Sequence, residues 1–211
     1  MGWYFWLNPI QLRHSFGPHG DDLAKTIRSR IERRATRRDR REERRSESVI
    51  VAGLTPLVEM VGPGRPILML DTDIYIDEAA GRLPVPVSAA IDRAQLFHCS
   101  ICLGELALGV GGVSPLARGY KALREHYRQL AQIIPPSRVL TPDDDISTEA
   151  EVLTSTVTSG LRLTREKRRA WLNDVLVYLT AAKAGVTVLT SNKIAFGRIH
   201  LASGKGRCVY Y

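Results

Sequence analysis

The chain has 211 residues, 44% of them hydrophobic, so it can bury one substantial core and is expected to form one or two domains. Its formal net charge of +8 and its pI near 9.7 point to a polyanionic partner. Three cysteines are too few for a disulfide framework, and no apolar run approaches the roughly 20 residues that span a bilayer. We therefore expect a cytoplasmic protein without a membrane segment.

The positive charge is concentrated near the N-terminus. Residues 25–45 contain eleven Lys or Arg and four Asp or Glu, a net charge of +7, which leaves +1 for the rest of the chain. Such a segment has no apolar face with which to join a core, so residues 1–65 are predicted to be a basic N-terminal extension, disordered or loosely helical. It could instead be a tail or an accidental extension, with Met60 or Met69 as the true first residue. The candidate nucleic-acid-binding residues are its paired arginines, Arg33, Arg34, Arg37, Arg38, Arg40 and Arg41.

From Pro66 onward, predicted strands and helices alternate. The apolar run 67–70 predicts a buried strand, and further strands are predicted at 96–99, 138–141, 186–190 and 208–211. Helices are predicted at 74–80 and 87–94, from Ser100 to the glycines at 109, 111 and 112, and at 115–134. Two more are predicted from a cap at Asp145 to Gly160 and from a cap at Thr164 to Ala184. This alternation predicts an α/β fold with a doubly wound parallel sheet in residues 66–211.

Two carboxylates, Asp71 and Asp73, follow the first predicted strand directly. In open parallel sheets, ligands bind beyond the carboxyl ends of the strands, so both side chains are expected at the functional crevice. The simpler alternative for Asp71 is that it only caps the next helix.

Three further polar residues lie in comparable positions. Glu105 is one turn into a helix that follows a strand, Asp174 has apolar neighbours on a helix, and Asn192 comes directly after the strand at 186–190. Because an unpaired buried charge is costly, a divalent cation is a natural partner for these acids, and Mg²⁺ prefers oxygen ligands. Taken singly, Glu105 could be an exposed first-turn residue, and Asp174 could pair with Arg168, Arg169 or Lys183.

A C-x-x-C pair and one histidine have simpler interpretations. Cys99 and Cys102 have apolar neighbours and no second ligand pair, so we interpret them as core packing rather than as zinc or redox chemistry. His98 lies in a predicted strand and is predicted to be a hydrogen-bonded core residue.

Four segments in order resemble a PIN domain of the VapC type, the toxin half of type II toxin–antitoxin pairs: residues 70–77, 100–106, 173–182 and 188–196. The resemblance extends from Pro66 to the C-terminus. It implies an endoribonuclease that depends on Mg²⁺ or Mn²⁺, with Asp71, Glu105 and Asp174 as the metal-binding acids. It also implies supporting roles for Thr72, Asp73 and Thr190. Where many members of the family place a fourth acid, this chain has Asn192, which adds no charge for a second metal.

The resemblance also implies partners. RNA is the expected substrate, and a cognate antitoxin and a homodimer are expected because the region 74–94 commonly contributes to both interfaces in VapC-like proteins. This region is more apolar than a solvated hairpin needs to be, but simple packing onto the sheet is an equal alternative; its apolar residues include Tyr75, Ile76, Leu83, Val85 and Val87. The alternative function is a catalytically weak or inactive PIN-fold module that binds RNA or a protein partner.

Overall fold

The computed structural model describes residues 54–57 and 64–211, and its centre is a six-stranded sheet in which every pairing is parallel. The spatial order of the strands is β1-β6-β5-β2-β3-β4. The strands are β1 (Thr55–Pro56), β2 (Ile67–Leu70), β3 (Gln95–Cys99), β4 (Val139–Leu140), β5 (Thr187–Thr190) and β6 (Arg207–Tyr210). The predicted arginine contacts of residues 33–41 lie outside the described residues.

Seven α-helices connect these strands within the described ranges. They are α1 (Thr72–Ala79), α2 (Val85–Arg93), α3 (Ser100–Gly111), α4 (Tyr120–Ile133), α5 (Asp144–Val157), α6 (Arg165–Lys183) and α7 (Lys193–Ser203), with a 3₁₀ turn at Pro136–Arg138. This arrangement confirms the predicted α/β fold with a parallel sheet. In the part of the chain that the structure describes, no helix is long and apolar enough to cross a membrane.

The central strands carry the core. Leu68, Met69 and Leu70 of β2 are at most 1% exposed, as are Val188 and Leu189 of the neighbouring β5. Strands with both faces covered are continuously apolar, which is why these short runs were recognisable in the sequence. Because β2 lies between β5 and β3, the residues that follow it emerge at the middle of the sheet's carboxyl edge.

Several helix boundaries differ from the predictions, and one helix was not predicted. Helix α4 begins at Tyr120 rather than near Pro115, because the chain first turns through 114–119 and Gly119 adopts a left-handed conformation with φ 85°. Helix α5 begins one residue before the predicted cap, and its capping side chain is Asp143, which accepts from the Ile146 N–H. Helix α7 was not predicted. The cap at Thr164 is confirmed, since its hydroxyl accepts from the Lys167 N–H.

The sheet begins before the boundary that the sequence placed at residue 65. Thr55 and Pro56 pair with Val209 and Tyr210 of β6, and their neighbours Leu54 and Leu57 are buried in the core. Residues 54–57 had been assigned to the N-terminal extension. A Thr-Pro pair carries no strand signal, because proline lacks an N–H and is confined to edge strands, so the hydrophobic pattern did not reveal it.

The apolar residues of α1 and α2 mostly face the protein's own core. Tyr75, Ile76 and Val87 are buried, Leu83 packs partly against the core, and Val85 is 81% exposed. Packing within the protein therefore explains the apolar character of the three buried residues. Their side chains are not accessible to a second protomer. The homodimer stays a prediction.

Candidate active site

Asp71 is at the centre of the site. It follows β2, its own N–H donates to the Leu189 carbonyl of β5 at 3.0 Å, and its side chain is buried. One carboxylate oxygen accepts from the Thr72 N–H at 2.7 Å, and the other accepts from the Thr190 hydroxyl at 2.6 Å. Asp71 is thus both a helix cap and a member of the polar cluster, so the two interpretations of its sequence position are compatible.

Glu105 connects three helices at this edge. Its Oε2 accepts from the hydroxyl of Thr72 in α1 at 2.6 Å, and its Oε1 accepts from the amide of Asn173 in α6 at 2.7 Å. This hydrogen bond to Glu105 is the contact through which Thr72 would fulfil its predicted supporting role. Asn173 was not predicted as a site residue, although an amide donor directly beside Asp174 was a signal available in the sequence.

Asp174 and Asn192 meet across α6 and the loop after β5. The Asn192 amide lies 3.3 Å from the Asp174 carboxylate, while its Oδ1 caps α7 by accepting from the Ala195 N–H. The backbone N–H of Asn192 donates to the Thr190 hydroxyl at 2.9 Å. Thr190 consequently contacts both Asp71 and the residue that holds Asp174.

The predicted ion-pair alternatives for Asp174 are not observed. Lys183 pairs instead with Asp143 at 2.5 Å and Asp145 at 3.6 Å. Arg168 and Arg169 are exposed and form no ion pair with Asp174.

A fourth carboxylate belongs to the same group. Asp73, in the first turn of α1, accepts a hydrogen bond from the Ser191 hydroxyl at 3.1 Å. Ser191 is a second residue that the sequence did not single out. It stands between Thr190 and Asn192, so the whole turn after β5 supplies polar contacts to the acids.

The acids destabilise one another's charged forms. Burial, together with the charges of Asp73 and Glu105, raises the pKa of Asp71 to about 8, in spite of the lowering effect of the hydrogen bonds from Thr190 and Thr72. Burial raises the pKa of Asp174 as well, and Asp71, Glu105 and Asp73 add to that rise. The donors described for Asp71, Glu105 and Asp174 are hydroxyl, amide and backbone N–H groups, none of which neutralises their negative charge.

The donor set suits a hard divalent cation. Its ligand atoms are carboxylate oxygens, and each has a second lone pair beyond the hydrogen bond it accepts. Among the described residues, no three His, Cys, Asp or Glu side chains already form a compact metal-binding group. Mg²⁺ typically keeps several waters and takes only one or two carboxylates directly, so the arrangement fits a cation held partly through water.

The cysteines and His98 lie in the core beside this cluster. Cys99 and Cys102 are buried with free thiols, in keeping with core packing. His98 is buried, and its Nδ1 lies 2.6 Å from the Tyr75 hydroxyl, which confirms it as a hydrogen-bonded core residue. Burial and the charge of Arg138 lower the His98 pKa to about 4.

Comparisons with known proteins bear on the fold. No family model matches the chain, and no curated protein matches it. A solved structure of FitAB bound to an IR36 DNA fragment matches with a TM-score of 0.50 at 20% identity, covering 68% of this chain and 94% of that one. The crystal structure of FitAcB from Neisseria gonorrhoeae matches with a TM-score of 0.50 at 19% identity, covering 68% and 96%. At these identities the likeness is one of fold, and the fold of this chain is PIN-like.

Proposed function

We propose that this protein is a metal-dependent endoribonuclease of the PIN type. The observation that carries the proposal is the group of four carboxylates, Asp71, Asp73, Glu105 and Asp174, which three helices and the end of β2 bring to one edge of a PIN-like sheet. A protein that only needed stability would gain nothing from carboxylates that raise one another's pKa.

Each side chain has a defined task in this proposal. Asp71, Glu105 and Asp174 hold Mg²⁺ or Mn²⁺, which when bound lowers the pKa of a water and neutralises charge on the scissile phosphate. Asp71 gives up its proton when the cation is held. Thr72 and Asn173 fix both oxygens of Glu105, so that this carboxylate keeps one orientation as RNA arrives.

Asn192 takes the place of a fourth acid. Its amide donates toward Asp174, which orients that carboxylate without adding charge. A fourth acid at this position would help to hold a second cation. With Asn192 there instead, we propose that the site holds one cation firmly and a second one weakly.

The test is cleavage of a labelled single-stranded RNA by the purified full-length chain with Mg²⁺, with Mn²⁺ and with EDTA. We expect cleavage only with metal, and a loss of at least about a hundredfold in Asp71→Asn, because a ligand is removed while the shape is kept. The matched control is Glu151→Gln, an exposed carboxylate on α5. Cleavage that survives EDTA or the Asp71→Asn change would refute the proposal.

The rival function, a PIN-fold module that binds RNA or a partner without turnover, rests on Asn192 and on the basic segment at the N-terminus. It predicts RNA binding without metal-dependent cleavage in the same experiment.

We further propose that the protein is the toxin of a type II toxin–antitoxin pair. The resemblance of the sequence to PIN domains of the VapC type supports this, and the match to the FitAB and FitAcB structures supports the PIN-like fold on which that resemblance depends. Expression of the wild type should arrest bacterial growth, Asp71→Asn should not, and a small protein encoded beside it should relieve the arrest. Equal growth with wild type and Asp71→Asn would contradict the toxin assignment.

A further inference from the structure

A row of unpaired arginines lies on the first half of helix α6, the helix that also carries Asn173 and Asp174. The segment 161–172 contains five basic residues and a single acidic one, Glu166. Three of the arginines, Arg165, Arg168 and Arg169, are exposed. Their side chains form no hydrogen bond or ion pair with any other described residue. We refer to these three as the α6 ridge.

The ridge residues share one side of the helix. Positions three and four apart on an α-helix are neighbours, so Arg165 lies beside both Arg168 and Arg169. Arg169 is in turn four residues before Asn173, whose amide donates to Glu105 at 2.7 Å. The ridge is therefore followed, one helical turn later, by a residue that contacts the carboxylate group.

The length of α6 places the ridge beyond the sheet. From Asp174 to Lys183, nine residues further on, the helix axis rises about 13.5 Å, about the length of the four-residue strand β5 that follows. Asp174 is thus level with the carboxyl edge, as its contact with Asn192 requires. Burial changes at the same point, because Val175 and Val177 are buried whereas residues 165, 166 and 168–170 are exposed.

This placement answers an electrostatic problem of the proposed active site. Carboxylates repel an RNA backbone, and the hydrogen bonds described for Asp71, Glu105 and Asp174 come from uncharged donors. A cation can neutralise the scissile phosphate, but neighbouring phosphates need counter-charges of their own. Arginine suits that task because its guanidinium binds phosphate oxygens in a bidentate manner and is always charged.

We propose that the α6 ridge binds the phosphate backbone of single-stranded RNA next to the scissile position. The proposal rests on the proposed ribonuclease function for its substrate. The stretch of α6 from the ridge to the carboxylates, Arg165 to Asn173, is about 12 Å long, which corresponds to about three phosphates at the 3.4 Å spacing of one stacked strand. The contacts are with the backbone, so the ridge strengthens binding without selecting a sequence.

The test compares two triple variants of the full chain. The ridge variant is Arg165→Gln, Arg168→Gln and Arg169→Gln. The control variant is Arg65→Gln, Arg93→Gln and Arg207→Gln, which removes the same charge from exposed arginines at the amino ends of β2, β3 and β6, the opposite edge of the sheet. Melting temperatures of both variants establish that they fold.

Binding is measured by fluorescence anisotropy with a labelled 20-nucleotide RNA of mixed sequence, in EDTA, over a series of salt concentrations. Loss of three phosphate contacts should reduce the slope of log K against log salt by about 2, since each contact on a single strand contributes about 0.7. At 0.1 M salt, the Kd of the ridge variant should rise by about tenfold to a hundredfold. The control variant should keep the wild-type slope.

A ridge variant with the wild-type slope, or one indistinguishable from the control variant, would overturn the proposal. So would a ridge variant that loses binding only to an acidic polypeptide such as polyglutamate, because the surface would then serve a protein partner. The binding measurement is made without metal, so it is independent of turnover. If RNA binds through the ridge but is never cleaved, the proposed ribonuclease function is refuted, whereas the proposed phosphate-binding role of the ridge stands.

Discussion

Thr190 illustrates how much of the site depends on single neutral side chains. Its hydroxyl donates to Asp71 and accepts from the backbone of Asn192, so it links β2 to the turn after β5. It is fully buried, and water does not compete for either hydrogen bond. The geometry of Asp71 is therefore set by protein atoms before any cation or substrate arrives.

The raised pKa of Asp71 makes stability depend on pH. The folded protein holds this proton up to about pH 8, whereas the unfolded chain releases it near the ordinary aspartate pKa of 3.8. Between those values the folded state binds more protons, so the free energy of unfolding falls as the pH rises. His98 acts in the opposite direction, because its pKa of about 4 makes the fold less stable below the ordinary histidine value of 6.5.

We therefore predict that the metal-free protein loses about 1–2 kcal/mol of stability between pH 6.5 and pH 8, where His98 contributes little. Asp71→Asn should reduce this loss, and so should Mg²⁺, because holding the cation favours the charged carboxylates. Urea unfolding in EDTA and in millimolar Mg²⁺ measures both effects. Equal wild-type stability at the two pH values in EDTA would contradict the pKa of Asp71.

Much of the site could be predicted at this scale. Asp71, Asp73 and Asn192 were identifiable because they follow buried strands, and Glu105 and Asp174 because a carboxylate among apolar residues needs a partner. Asn173 and Ser191 were not, because hydrogen bonds from neutral side chains depend on contacts between distant elements and leave no periodic pattern. Their partners, Glu105 and Asp73, are 68 and 118 residues away in sequence.

At the scale of elements, the turn between α7 and β6 is packed unusually tightly against α6. Gly206 has a φ of 70°, and a Cβ atom at this position would lie 2.7 Å from the Cβ of Ala182. Gly204, which ends α7, has a φ of 62° but no atom within 4 Å of the corresponding Cβ position. Both glycines thus have a left-handed backbone conformation, but only Gly206 is in close contact with α6.

We predict that Gly206→Ala lowers the free energy of unfolding by roughly 2–5 kcal/mol, because backbone strain and overpacking against α6 add together. Gly204→Ala should cost only about 1–2 kcal/mol, the price of a left-handed alanine. Urea unfolding of the two variants measures the difference. Equal losses would mean that α6 and this turn are not in close contact.

Elements with a clear pattern were predictable from the sequence, and the others were not. The buried strands β2 and β5 and the long helix α6 were recognised from apolar runs and capping residues. Helix α7 was not predicted, and β1 was missed because a Thr-Pro pair carries no strand signal. The late start of α4 depends on turns between Ser114 and Gly119 that its helical periodicity did not reveal.

At the scale of the whole molecule, the N-terminal region has two separable contributions. The arginine-rich segment 25–45 carries most of the net charge, whereas Leu54 and Leu57 belong to the core. A deletion of everything before Met60 would remove both, so its effect on RNA binding would be mixed with a loss of stability. A chain that begins at residue 54 removes the charge and keeps β1.

We predict that the chain beginning at residue 60 is less stable than the chain beginning at residue 54 by roughly 3–6 kcal/mol, from the burial of two leucines. The chain beginning at residue 54 should bind RNA more weakly than the full chain and with a flatter salt dependence, and it should cleave at the same sites. Urea unfolding and anisotropy measure these differences. An unchanged salt slope would argue against an RNA-binding arm.

The pairing of Thr55 and Pro56 with β6 also protects the sheet from other chains. An uncovered β6 would present unpaired backbone N–H and C=O groups, which form a template for strands from neighbouring molecules. With β1 in place, the outermost described strand on this side of the sheet is only two residues long, and one of them is a proline, which has no N–H to donate. These two residues therefore act as a barrier to edge-to-edge aggregation, and their loss would be felt first as poor solubility at high protein concentration.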